Sequence, residues 1–188
     1  MIEELDLLLQ SFIPFKVDRY MDVGVGEANR TRHQIKCNTR LDCDGSFAEV
    51  RDKGVRPFFY VDALNIGDFL KPKQFDLITA LDFIEHQTKE KGFRMLDVLE
   101  GLCRGRLILF TPLGEYMVGN DSKDLQGHLS GWKPEEFVQL GYSCLVMPNF
   151  HPLLGIGAFY AIKDFVRPVE QVMGNYSAWN LKGYWISQ

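Results

Sequence analysis

The sequence predicts an α/β fold: a Rossmann-like, doubly wound sheet, mostly parallel, with an antiparallel final strand. Three observations carry this. Short, nearly all-apolar runs such as Phe75–Leu81 and Arg106–Thr111 alternate with segments of helical periodicity, as strands covered on both faces do. The first of these runs ends in a glycine turn, Gly24-Val25-Gly26. The last two are joined by about nine residues that include Pro148 and Pro152, too few for a helical crossover, so they pair antiparallel.

Each element follows from local pattern. Ile2, Leu5, Leu8, Leu9 and Phe12 recur at helical spacing up to Pro14. Tyr20–Val23 is a short buried strand, and Ile35–Leu41 alternates apolar and polar residues as a second strand. Ser46–Lys53 reads as a helix with Ser46 as N-cap, Glu49 three residues on and Gly54 as its stop. Pro57–Val61 is a third strand ending at Asp62, and Phe75–Leu81 a fourth. Thr88–Cys103 places Phe93, Leu96, Leu99 and Leu102 on one helical face, with Cys103 in the same stripe and Gly105 beyond it. Arg106–Thr111 is a strand stopped by Pro112. Lys133-Pro134-Glu135-Glu136 opens a helix with acids against its dipole. Tyr142–Met147 and Gly157–Lys163 complete the sheet.

A length of 188 residues fits one domain over 1–188, with a core of about 20–163, an N-terminal helix over 1–13 and an unassigned tail over 164–188. Apolar residues at 46% allow a sizeable core. A net charge of −4 without a basic cluster offers no field for displacing counterions from phosphates, so no nucleic-acid partner is expected. The opening residues are acidic where a secretory leader is basic, and the apolar runs are too short to span a bilayer, so no membrane association is expected. Cys37, Cys43, Cys103 and Cys144 are scattered, which argues against a zinc site or a disulfide framework and for a reducing cytoplasm; no metal site is expected.

Chemistry concentrates at the strand ends. In an open α/β sheet, ligands bind beyond the C-terminal tips of the strands, where a glycine turn lets the backbone approach them. Asp42 follows the glycine turn by about twenty residues, where a carboxylate can chelate ribose hydroxyls, and Asp62 ends the third strand, within reach of an adenine amino group. Nicotinamide and adenosylmethionine enzymes share this geometry. The dinucleotide fingerprint needs a third glycine where this chain has Asn29, and Asp22, two residues before Gly24, repels a pyrophosphate but attracts a cationic ligand. On this reading a Gly24→Val replacement blocks binding and leaves the fold intact.

These pieces, in this order, resemble the class I S-adenosylmethionine-dependent methyltransferases over about residues 20–163. The glycine motif is Asp22-Val23-Gly24-Val25-Gly26, the ribose acid Leu41-Asp42, the adenine edge Val61-Asp62-Ala63. Phe75 to His86 matches the fourth-strand motif with its Glu85-His86 ending, and Arg106–Pro112 the fifth strand. The resemblance implies the strand order 3-2-1-4-5-7-6, S-adenosyl-L-methionine as cofactor and a small-molecule methyl acceptor. It implies cofactor contacts at Asp22, Gly24, Gly26, Asp42, Cys43, Asp62, Ala63, Ala80 and Leu81. Thr111–Gly114, Asn120 and His128–Phe137 are further similar to small methyltransferases of glycan assembly, which implies a sugar-like acceptor. The chain departs from the family at Ala28, where many members carry glycine, and in the polar segment Glu27–Gln34, where the family's first helix is amphipathic.

Methyl transfer is an in-line displacement that needs alignment and exclusion of water more than a fixed catalyst. For an oxygen acceptor, a histidine of near-neutral pKa is the usual base. His128, in the 113–133 loop, and His86, after the fourth strand, are the two candidates, each with a loop-fixing role as the alternative. Asp82 and Glu115 are further pocket acids, Trp132 is either a lid aromatic or a buried anchor, and His33 and His151 read as surface or loop residues. Two other readings stay open: a non-catalytic methyltransferase-like binding protein, and a nicotinamide-dependent oxidoreductase.

Overall fold

The computed structural model describes residues 2–25, 35–45, 58–115, 127–151, 155–165 and 183–188. Eight strands form one sheet in the order β3-β2-β1-β4-β5-β7-β6-β8: β1 (Val17–Val23), β2 (Cys37–Cys43), β3 (Phe58–Phe59), β4 (Phe75–Leu81), β5 (Cys103–Pro112), β6 (Ser143–His151), β7 (Ile156–Asp164) and β8 (Tyr184–Ile186). Pairing is parallel from β3 through β5, and β7 then runs antiparallel to both β5 and β6. This is the expected order, extended by an eighth strand at the edge of β6 that the unassigned tail supplies.

The two faces of the sheet bury separate apolar clusters. On one, helix α1 (Ile2–Ser11) sets Leu8 and Leu9, with Phe12 just beyond its end, against Tyr20, Leu77, Ile108 and Tyr160; Phe12 meets the Tyr160 and Trp185 rings edge-on at 5.1 and 5.9 Å. On the other, α2 (Lys89–Leu102) packs Met95, Leu96, Leu99 and Leu102 onto Ile78, Leu107 and Leu109. Thr88 caps α2, its hydroxyl accepting the Lys91 N–H at 3.4 Å.

Several boundaries differ from the sequence expectation. β2 lies two residues further along than Ile35–Leu41, because Cys43 still pairs with Val23. β3 spans Phe58–Phe59 alone, since Asp62 already turns the chain. Cys103 begins β5 and does not belong to the helical stripe. Phe93 is 38% exposed, its place on the buried face taken by Gly92 and Met95. β6 continues to His151, so the hairpin to β7 is shorter than expected. The expected Ser46–Lys53 helix, Gly26 and the polar segment 27–34 lie outside the described residues.

Candidate functional site

The tips of β1, β2 and β4 carry a buried polar network. Asp22 is fully buried (0% exposed), level with Asp42 on one side and Thr79 on the other. Thr79 Oγ1 donates to Asp22 Oδ1 at 2.7 Å and lies 2.7 Å from the Tyr20 hydroxyl, so the tyrosine is left to donate to the threonine. From β2, Arg40 places Nε 2.5 Å from Asp42 Oδ1 and a terminal nitrogen 3.3 Å from Asp22 Oδ2, with its guanidinium 5.0 Å from the Tyr20 ring centre. Two buried carboxylates thus share one buried cation, and their sum stays negative.

The sequence reading missed Arg40, whose alternation with Asp42 on one face of β2 was the available signal. It also set the strand end at Asp42. Because β2 runs on to Cys43, the carboxylate past the tip is that of Asp44, itself buried, its N–H donating to Phe59 O at 3.2 Å. The Cys43 thiol reports the local field. Burial first, then the charges of Asp44, Asp22 and Asp42, push it well above its ordinary range. Three carboxylates therefore converge at these tips.

The remaining expected cofactor residues are distributed differently. Gly24 turns at φ +69°, and a Cβ there would stand 2.2 Å from Phe83 Cδ2, so the space expected for a ligand carries the Phe83 ring. Asp62 is exposed and accepts the Leu64 N–H at 2.9 Å, a local turn bond. Gly45, after Asp44, lies against the Val61–Asp62 backbone, with its would-be Cβ 3.2 Å from Val61 O, so the β2 and β3 exits are adjacent. Cys43, Ala63 and Ala80 belong to the α2-side core and Leu81 to the opposite one.

A second feature lies beside the first, beyond β4, β5 and β7. A cavity of about 250 Å³ is lined by Asp82, Glu85, His86, Phe110, His128, Phe150 and His151, among others. Asp82 leaves β4 in a left-handed conformation, φ 50°, and the Ile84–His86 3-10 turn follows. Glu85 is 2% exposed, and Thr111 Oγ1 donates to its Oε2 at 3.1 Å. Burial, then the like charge of Asp82, pushes its carboxyl up to about 8. The His86 and His128 rings meet edge-to-face at 5.0 Å, and His86 Nδ1 lies 3.2 Å from Gly127 O. Both candidate histidines thus face one cavity, with a buried carboxyl between strand and loop that the sequence reading named only as part of a motif.

Of the other candidates, Glu115 is exposed and does not line the cavity, whereas His151 does. Trp132 is a buried anchor, packed on Phe93 and Phe137 with Lys89 Nζ 3.6 Å from its ring centre. His33 lies outside the described residues. A larger cavity, about 530 Å³, lies at the opposite ends of the strands, among Lys16, Asp76, Arg104, Arg106 and Asp164. It is remote from the tips where α/β sheets bind ligands, and Arg104 and Arg106 are paired with Asp76 and Asp164.

No family model and no curated protein matches the chain. Among solved structures, a SAM-dependent methyltransferase from Archaeoglobus fulgidus is 15% identical, with 87% of this chain and 95% of that one covered at a TM-score of 0.57. The N-methyltransferase NodS from Bradyrhizobium japonicum is 14% identical over 86% of this chain and 93% of its own, TM-score 0.57. The 1,6-didemethyltoxoflavin-N1-methyltransferase of Burkholderia thailandensis, solved with its substrate and S-adenosylhomocysteine, is 12% identical over 87% and 77%, TM-score 0.60. The fold is that of the class I methyltransferases.

Proposed function

We propose that this chain, folded as a single domain, is an S-adenosylmethionine-dependent methyltransferase for a small, sugar-like acceptor. The observation that carries the reading is the set of buried carboxylates Asp22, Asp42 and Asp44 at the tips of adjacent parallel strands. Their field favours a ligand that is both a nucleoside and a cation. On this reading Asp44 takes the ribose hydroxyls, Asp42 and Asp22 hold Arg40 and set the sign of the site, and Asp62 with Ala63 borders the adenine. Gly24 and Gly26 keep the turn bare, and the strand-end backbone at Cys43, Ala80 and Leu81 completes the floor. The bound cofactor supplies a methyl group already activated as a sulfonium.

The protein's share is alignment and dryness. The cavity beyond β4 and β5 holds the acceptor against the paired Phe110 and Phe150 rings, which exclude water, while Glu85, His86 and His128 offer polar contacts on another wall. Where no metal is bound, either His86 or His128 on that wall can take an acceptor proton.

A second reading, a methyltransferase-like binding protein without activity, is favoured by the Phe83 ring over Gly24. Calorimetry with S-adenosylhomocysteine separates the two. Micromolar binding that weakens at least tenfold in Asp44→Asn supports the enzyme; no heat of binding at millimolar ligand supports the scaffold.

A further inference from the structure

We propose that Glu85, His86 and His128 form a site for a divalent first-row transition-metal ion, on which a hydroxyl or carboxylate of the acceptor completes the coordination. The ion's site stands on geometry alone; its use on an acceptor rests on the methyltransferase reading.

One ligating atom from each of the three residues lies within 4.8 Å of the other two. Metal bonds of about 2.0–2.2 Å set ligand atoms about 3–3.5 Å apart, so modest side-chain rotations close the set. The backbone already holds the parts together. Glu85 O accepts the N–H groups of Leu129 at 2.7 Å and Ser130 at 3.1 Å, which pins the segment carrying His128 onto the turn carrying Glu85 and His86.

The outer contacts are those that ligands need. His86 Nδ1 donates to Gly127 O at 3.2 Å, which fixes the tautomer with its lone pair on Nε2, as the outer hydrogen bond of a metal-ligating histidine does. The Thr111 hydroxyl donates to Glu85 Oε2 at 3.1 Å, and the backbone N–H groups of Phe83 and Glu85 also bond the carboxylate, which fixes its orientation in the wall of the cavity. A carboxylate 2% exposed is stabilised most by a cation, and the protein charge acting on it is that of Asp82, of the same sign. Two imidazoles and one carboxylate select zinc, iron or cobalt over magnesium or calcium, and three protein ligands leave open positions toward the cavity. The sequence reading expected no metal from the scattered cysteines; His86 and His128, far apart in the chain, are brought together only by the fold.

Chelator-treated full-length protein titrated with Co(II) tests this. The expected result is one equivalent bound, a visible d–d absorption, and strongly contact-shifted ring protons from two of the four histidines, those lost in His86→Asn and His128→Asn. Glu85→Gln and His128→Asn weaken binding at least tenfold, and Thr111→Val by roughly tenfold. The shifts are read on unmodified protein, so a variant that fails to fold does not remove the test. Absent binding to folded protein, contact-shifted ring protons from other histidines, or affinity retained in both Glu85→Gln and His128→Asn overturns the proposal. S-adenosylhomocysteine calorimetry on the metal-free protein is a separate readout, so failure of the metal site is distinguishable from failure of the methyltransferase reading.

Discussion

The Phe83 ring lies directly on Gly24: a Cβ built on this glycine would stand 2.2 Å from Cδ2 and 2.5 Å from Cγ of the ring, and φ there is +69°. Both facts resist any side chain. Gly24→Ala is therefore expected to lower stability, by about 1–2 kcal/mol for the left-handed backbone and more for the collision. In a Phe83→Ala background the collision is removed and the cost falls to the backbone share, a coupling that a double-mutant cycle in denaturant measures. The expectation that Gly24→Val leaves the fold intact is corrected by this contact.

Arg40 is the only cation seen on the two buried carboxylates Asp22 and Asp42 among the described residues. Arg40→Met removes that cation, and breaking such a buried pair costs about 3–5 kcal/mol. Denaturant unfolding should show that loss, with part of it recovered in Arg40→Met/Asp42→Asn. A loss under about 1 kcal/mol would mean that the network contributes little beyond an exposed ion pair.

Gly92 reverses the usual rule for helices. Glycine to alanine inside a helix ordinarily stabilises by about 1 kcal/mol. Here the added Cβ would meet Trp132 Cζ2 at 2.5 Å, against a fully buried indole. Packing outweighs propensity, and Gly92→Ala should lower the melting temperature.

Asp76 ties β4 to the start of β1 and to Arg104: its Oδ2 accepts the Asp18 and Arg19 N–H groups at 3.1 and 2.9 Å, and Oδ1 accepts Arg104 Nε at 2.7 Å. Burial acts to raise its carboxyl, but the Arg104 hydrogen bond and the two backbone donors outweigh it and hold it below the ordinary carboxylate range. A lowered folded-state pKa stabilises above the unfolded value, about 3.9, and that contribution is lost as pH falls through the folded one. Asp76→Asn should thus cost about 1–2 kcal/mol at neutral pH, reduced for the exposure of Arg104, and little in strong acid. Urea titrations at the two pH values check the sign.

The sheet was legible because its central strands, β4 and β5, are apolar on both faces and the connections differ in length, which separates parallel from antiparallel pairing. What escaped lay where pattern carries no information. Arg40 and Asp42 look like an ordinary polar alternation, and only the neighbouring Asp22 makes them a network. Cys103 fits a helical stripe by spacing, yet Gly105, with Asp76 O only 2.1 Å from a would-be Cβ, shows the chain already pressed into the sheet. Tyr184–Ile186 is too short to be recognised as a strand without the β6 edge it pairs with. At the site, Glu85 and His86 were legible as a motif, whereas their meeting with His128 depends on the return of the loop after β5.

A crystal structure with S-adenosylhomocysteine tests the central claim most directly. The account predicts the nucleoside at the β1 and β2 tips, with Asp44 on the ribose, Phe83 moved off Gly24, and the sulfur facing the cavity of Glu85 and His128. A nucleoside bound elsewhere, or crystals soaked at saturating ligand with Phe83 still on Gly24 and no density at those tips, would contradict it.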